Sequence, residues 1–357
     1  LLAVPPVGTG AGGRGEERAR LIREVAVRLS ALAVEHDVDL AFVSKDPASY
    51  ALFQQLRPDG ELLPGCEELV ERLAGHARGG TLVPFIGAGA SVGAGLPNWS
   101  ELVEELRQLA PRVRPPKKGE DLSALAQRIA RKAGEAKVRE KVTQIVGERT
   151  GRHSLIHGLL ANLEPEGAIT TNFDCLFETA LAARGLPAPS VLRHKPDATS
   201  SSWLLKMHGD VDAPRDLVIT ADDYARFGRR GALLGIVQAM LMTKHLLFVG
   251  YGLGDRNFRE GVKSVEEALS GSGTRLGTVL ALGNRRAKEP AGFEVVSFAE
   301  PRQIEILLDQ VVRRADLSAS FFLDERYSRA LSGEERRLAR RLRRVAGLYP
   351  ALQGSAA

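Results

Sequence analysis

Four short segments of this chain place polar residues and glycines directly after apolar runs. Gly87-Ala88-Gly89-Ala90-Ser91 follows Thr81–Ile86, and Thr170-Thr171-Asn172-Phe173-Asp174 follows Ala168-Ile169. His208-Gly209-Asp210 follows Leu204–Met207, and Gly250-Tyr251-Gly252-Leu253-Gly254-Asp255 follows Leu246–Val249. Each residue type suits a particular task. A glycine turn ahead of a helix lets backbone amides approach an anion, and the helix dipole favours its charge. Asparagine offers a donor and an acceptor without charge, so it can orient a water or a hydroxyl. Histidine supplies a proton acceptor that works near neutral pH.

Such residues act together only if the fold gathers them. The apolar runs Leu82–Ile86, Ala168–Thr171, Trp203–Met207, Leu246–Gly250, Thr278–Leu282 and Val295–Phe298 are short and nearly uninterrupted, as strands covered on both faces must be. Helical stretches separate them. The expected fold class is therefore α/β: a Rossmann-like open parallel sheet with a helical insertion, preceded by a small partial α/β unit. In such a sheet ligands bind beyond the carboxyl ends of the strands, near the switch in strand order, so the four polar loops can converge there.

The insertion carries Pro111, Pro115 and Pro116 among charges, which reads as a loop between two of its helices. Residues 1–60 read as strand, glycine loop, helix and strand, with Ile22, Val25, Leu29 and Leu32 on one helix face. Residues 62–315 form the main domain, and 316–357 a closing helical segment. Within that segment Arg336, Arg337, Arg340, Arg341, Arg343 and Arg344 alternate with Leu338, Leu342 and Val345, which predicts a buried apolar stripe beneath solvated charge.

Composition excludes several classes. The net charge is only +5 over 357 residues, and no aromatic residues interleave with the arginine cluster, so nucleic acid is not an expected partner. No apolar run approaches the ~18 residues of a membrane span. Cys66 and Cys175 are the only cysteines, too few for a four-thiolate zinc site, and a reducing cytoplasm is the expected setting. Leu1 reads as entering a strand already under way, as in a piece of a longer chain.

The motifs resemble the sirtuin-like family. Its Gly-Ala-Gly-x-Ser, Gly-Ile-Pro-Asp-Phe, Gln-Asn-Ile-Asp, His-Gly and Gly-rich turn find counterparts in Gly87–Ser91, Gly95-Leu96-Pro97-Asn98-Trp99, Thr171-Asn172-Phe173-Asp174, His208-Gly209 and Gly250-Tyr251-Gly252. The zinc-binding cysteines of protein-deacylating members have no counterpart, and Thr-Asn-Phe-Asp looks like the divergent bacterial branch that includes NAD-hydrolysing antiphage effectors. The resemblance thus implies an NAD glycohydrolase, with protein deacylation, ADP-ribosyl transfer and a non-catalytic nucleotide sensor as alternatives. NAD enters as substrate and no metal is expected.

For the residues, the resemblance implies Asn172 and His208 as catalytic, with Asp174 holding the loop or the ribose. It assigns cofactor contacts to Gly87, Ala88, Gly89, Ser91, Gly95, Thr171, Gly250, Gly252, Asp255 and Asn284. Structural readings stand beside these: Asn172 or Asp255 as a helix cap, and His208 as a strand-end residue. Asn98 with Glu101 reads as a capping box, and His153 and His157 have metal-compatible spacing without a third ligand. Leu2–Gly13 resembles the phosphate loop of macro domains over that stretch alone. An enzyme that depletes NAD needs an off state, so a homo-oligomer and a sensor domain or partner protein are expected.

Overall fold

The chain is described by a computed structural model over residues 2–5, 18–44, 46–57, 63–117, 119–149, 151–192, 200, 202–228, 231–253, 256–269, 275–283, 292–315, 327–328 and 331–348. It divides into two compact units, Leu1–Glu61 with Asp316–Ala357, and Leu62–Ala315.

In the smaller unit, β1 (Leu2–Val4) pairs in parallel with β2 (Leu40–Phe42), and α1 (Arg18–Glu35) connects them. Pro at the first helical position and the Asp46 carboxylate, which accepts from the Ser49 amide at 3.0 Å, start α2 (Pro47–Leu56). Ile22 and Ala26 of α1 and Leu52 and Phe53 of α2 share a core with Tyr327, Leu331 and Ala339. The C-terminal segment therefore helps build this unit, and the Tyr327 hydroxyl donates to Asp46 at 2.7 Å. The C-terminal helix (Gly333–Leu348) corrects the expected stripe. It buries Ala339, whereas Leu338, Leu342 and Val345 are 50%, 38% and 47% exposed. Helical periodicity identifies an apolar face but not what covers it. On α1, Leu32 is likewise exposed, so only the first turns of its expected face pack inward.

The larger unit opens with α3 (Glu67–Arg78) and β3 (Leu82–Ile86), followed by the helical insertion α4 (Trp99–Arg107), α5 (Leu122–Ala133), α6 (Glu135–Arg149) and α7 (Leu155–Asn162). Then come β4 (Gly167–Thr170), α8 (Leu176–Arg184), β5 (Ser190–Val191), β6 (Trp203–Lys206), α9 (Ala221–Gly228), α10 (Gly231–Thr243) and β7 (His245–Val249). α11 (Arg256–Ala268), β8 (Gly277–Leu282), β9 (Phe293–Phe298) and α12 (Pro301–Ala315) complete it. All six expected strands form, with the short edge strand β5 in addition. The sheet is parallel throughout, in the order β5-β6-β4-β3-β7-β8-β9.

The chain thus runs outward from β3 to one side and returns to start the other side at β7, so the switch in strand order lies between β3 and β7. Phe85, Ile169, Leu205 and Phe248 centre the core of the sheet. A second core fills the insertion, where Val103, Leu106, Leu125, Ile129 and Val142 pack with Phe173 and Leu176 from the segment after β4. Each such side chain contributes about 1.5–3 kcal/mol on full burial, so the insertion is anchored onto the loop that carries Asn172.

Candidate active site

Register alone brings the four loops to one line. Ile86 pairs with Thr170 and with Val249, and Thr170 pairs with Lys206. Asn172 lies two residues beyond Thr170 and His208 two beyond Lys206, on strands that neighbour one another at about 4.8 Å. Gly87 and Gly250 each follow the paired residues Ile86 and Val249, at the switch point itself.

The two glycine loops meet backbone to backbone. The Gly87 amide donates to the Val249 carbonyl and the Gly89 amide to the Gly250 carbonyl, both at 2.9 Å. A Cβ on Gly87 would lie 2.5 Å from the Gly250 oxygen, and one on Gly89 2.8 Å from the Gly250 Cα. Gly250 has φ of +68°, and its Cβ would overlap the Ala90 nitrogen. This revises the reason for the glycines. Amides expected to face an anion are instead engaged with carbonyls, since Ala90 donates to Gly87 and Ser91 to Ala88 as well. The loop is a preformed wall held by its neighbour.

Asn172 lies across this wall, 7% exposed. Its amide donates to Thr170 Oγ1 at 3.0 Å, and Thr170 in turn donates to the Ile86 carbonyl. Its Nδ2 donates to the Gly87 carbonyl at 3.2 Å and to Ser91 Oγ at 3.0 Å. The Gly87 carbonyl can only accept, which fixes which end of the carboxamide faces it. Oδ1 is buried with no hydrogen-bond partner among the described residues. Asn172 does not cap α8, whose N-cap is Cys175; instead Asp174, one residue before it, accepts at Oδ1 from the Leu176 amide at 3.0 Å and at Oδ2 from Ser91 Oγ at 2.9 Å. Asp174 therefore ties the start of α8 to the glycine loop. Thr171 is half-buried, its amide donating to the Ile86 carbonyl at 3.1 Å.

His208 is buried, with the rings of Tyr224 and Phe227 edge-on at centroid distances of 5.2 and 5.9 Å. Gly209, at φ of +91°, is required because a Cβ there would lie 2.7 Å from the Asp216 carbonyl oxygen. Gly95 takes φ of +89° with open space around it, closing the second of two short 3-10 turns before Asn98. Asn98 and Glu101 form the expected capping box on α4. Ala88 is half-buried and Gly252 exposed. Asp255 and Asn284 lie outside the described residues.

Three groups near the site take parts that the sequence did not assign them: Ser154, His157, which was read there only for a metal-compatible spacing with His153, and Lys206. Ser154 Oγ, at the start of α7, donates to the Ala90 carbonyl at 2.8 Å and lies 2.8 Å from His157 Nδ1. Burial holds His157 down to about pKa 4; Asp174 opposes that shift and His153 adds to it. Its Nε2 is buried without a hydrogen-bond partner among the described residues, and its contact with Ser154 puts it behind the glycine loop as a support. Lys206, fully buried, is the third. Its Nζ lies 3.0 Å from both Glu178 and Asp210, within the cluster formed by Cys175, Glu178 and Asp210. Burial pushes the Cys175 thiol up to about 12, against the pull of Lys206, so it is not a ready nucleophile. A groove of about 1120 Å³ runs between α6 and the Pro214–Phe227 segment. It shares Phe227 with the surroundings of His208 but includes neither Asn172 nor His208 in its lining.

Residues 166–307 match the SIR2-like domain family. The chain is 31% identical over 200 residues to the defense-associated sirtuin 2 of Bacillus subtilis, covering 53% of this chain and 20% of that protein. It is 30% identical over 220 residues to the NAD(+) hydrolase ThsA of Bacillus cereus strain MSX-D12, covering 59% and 45% respectively. A similar likeness, 30% over 184 residues, extends to the NAD(+) hydrolase ThsA of Cytobacillus dafuensis, covering 48% of this chain and 35% of that one. The chain thus spans less than half the length of these relatives. Among the described residues no helix is long and apolar enough to cross a membrane.

Proposed function

We propose, proceeding from the SIR2-like match, that residues 62–315 form an NAD glycohydrolase that converts NAD and water to ADP-ribose, nicotinamide and a proton. The observation that carries this reading is the carboxamide of Asn172, whose donor end is fixed by two partners while its buried acceptor end has none among the described residues. Such an acceptor fits a ribose hydroxyl or a water, both of which can donate to it. A buried polar atom without a partner costs about 1–3 kcal/mol, which a bound donor relieves.

The chemistry follows from charge. As the bond between ribose C1′ and the nicotinamide nitrogen breaks, its electron pair leaves with nicotinamide and C1′ becomes cationic. Water oxygen then bonds to C1′ and releases a proton. Asn172 orients the water and the ribose, and His208 accepts the proton from the water or from the ribose hydroxyl. Asp174 positions Asn172 through Ser91. Gly87, Ala88, Gly89, Ser91, Gly95 and Thr171 bound the phosphate side, and Gly250, Gly252, Asp255 and Asn284 the adenosine side. No step calls for a metal.

One relative is named a defense-associated sirtuin, which supports a defence role, and we read this chain as a cytoplasmic antiphage effector. Destroying NAD is lethal to the cell that does it, so we further propose a homo-oligomer gated by a sensor domain or partner. The smaller unit, whose stretch Leu2–Gly13 resembles a macro-domain phosphate loop in sequence and lies outside the described residues beyond Pro5, is a candidate binder of an ADP-ribose-like nucleotide. Incubation with NAD and chromatography of released nicotinamide tests the reaction. Asn172→Ala and His208→Ala should each cut release by about 10²–10⁴-fold. Release that persists in both variants overturns the assignment.

A further inference from the structure

Lys206 ends β6, and its side chain is fully buried, a rare state for lysine that requires close partners. Its three ammonium protons have three oxygen partners. The Asp174 carbonyl accepts at 2.7 Å, Glu178 at 3.0 Å, and Asp210 Oδ2 lies at 3.0 Å. Cys175 Sγ adds a fourth neighbour at 3.7 Å. Burial disfavours the charged amine, but the surrounding negative charge, Glu178 first, outweighs it and holds Lys206 above its ordinary value.

These partners come from two different loops. Asp174, Cys175 and Glu178 belong to the segment that follows β4 and enters α8, and Asp174 lies two residues from Asn172. Asp210 belongs to the loop after β6, two residues from His208. Asp210 is itself anchored, its Oδ1 accepting from the Asp212 amide at 3.1 Å. The ammonium is thus the shared point of two loops, one after β4 and one after β6, that carry the two candidate catalytic side chains. Cys175, Glu178 and Asp210 offer ligand atoms within 4.8 Å of one another, the arrangement with which a metal ion ties loops together. Here a cation tethered to the sheet fills that electrostatic role.

We infer that Lys206 is a positioning residue, a fixed cationic clamp that sets the placement of His208 relative to Asn172 by bridging Asp210 to the Asp174 carbonyl. Its consequence for turnover rests on the reaction proposed above; its consequence for the geometry does not. Loss of the clamp should misplace the proton acceptor without removing any group that touches the substrate.

The test uses the whole chain labelled with isotopic histidine, the His208 imidazole signal being assigned by its disappearance in His208→Gln. Lys206→Met with Asp210→Asn removes one buried charge of each sign and leaves Glu178, which reaches solvent, to hydrate itself. The clamp predicts a shifted His208 imidazole signal. It also predicts that kcat for nicotinamide release falls by about tenfold or more while KM stays within about threefold, the signature of misplacement. Should the double variant fail to fold, Asp210→Asn alone keeps Lys206 bonded to Glu178 and Asp174, and should give the same shift and the same kcat loss. A folded variant with an unmoved His208 signal and a kcat within threefold of the parent overturns the inference, even if its melting temperature falls. If the parent protein releases no nicotinamide, the proposed reaction fails, while the His208 signal still decides the clamp.

Discussion

Gly250→Ala is the most direct probe of the site, because three separate costs can be read from its surroundings. Its φ of +68° is left-handed, which costs a residue with a side chain roughly 1–2 kcal/mol. The new methyl would lie 2.7 Å from the Gly89 carbonyl carbon and closer still to the Ala90 nitrogen, where ordinary contact begins at 3.4 Å. Both neighbours are backbone, and the nearer, the Ala90 nitrogen, requires the loops after β3 and β7 to separate by about 1 Å or more in a close-packed region. That separation breaks the 2.9 Å bond from the Gly89 amide to the Gly250 carbonyl, worth about 0.5–1.5 kcal/mol.

Together these terms displace the Gly87 carbonyl that holds Asn172, by a distance comparable to the ~1 Å that costs about 10²-fold in rate. The expected outcome is a kcat/KM for nicotinamide release lowered about 100-fold, with a melting temperature lowered by about 4–12 °C for a loss near 2–3 kcal/mol. Gly185→Ala is the matched control. Gly185 caps α8 at φ of +85° with open space around it, so it carries the strain without the collision. It should lose stability and retain activity. A Gly250→Ala enzyme within threefold of the parent would refute the reasoning that loop-to-loop contact sets the position of Asn172.

Ser91→Ala removes both the acceptor of Asn172 Nδ2 and the donor to Asp174, and should cost about 1–3 kcal/mol in urea unfolding and lower kcat more than KM rises. Asn98→Ala, which breaks the capping box on α4, should lower stability by about 0.5–2 kcal/mol and leave nicotinamide release unchanged below the melting temperature. Burial, with smaller help from His76, Arg72 and Arg275, holds His245 down to about 3; burial, opposed by Asp174, holds His157 at about 4. Below pH 6.5 the unfolded chain therefore binds protons that the folded chain refuses. Unfolding free energy should fall as pH drops from about 6.5 towards 4, by up to about 1.4 kcal/mol per pH unit for each histidine. Urea titrations at pH 7 and pH 4.5 check this, and His245→Gln should reduce the difference.

Much of the site was legible because its signals are local. A nearly uninterrupted apolar run of four or five residues is what a strand covered on both faces requires, and all six such runs became strands. Asn98 and Glu101 cap α4 as their three-residue spacing dictates, since both partners of a capping box lie within one turn. The order of the four polar loops along the chain, each directly after a strand, was likewise available to inspection, and so were Asn172 and His208 as candidates.

The chain order of those loops says nothing of which strands are neighbours. Only pairing across the sheet aligns Ile86 with both Thr170 and Val249, and so sets Gly87 at the switch point with Asn172 one strand away. The glycines at 87, 89 and 250 looked suited to an anion, but a collision between segments 160 residues apart is what forbids a side chain there. Lys206 sits in an apolar run as a single polar residue, and its partners Glu178 and Asp210 become neighbours only when β4 and β6 pair. On the C-terminal helix the spacing of Leu338, Leu342 and Val345 defined an apolar face, yet packing through Ala339 turned that face outward. Periodicity and capping act over a few residues and are written in sequence; register, close approach and cover are properties of pairs that meet only in the folded chain.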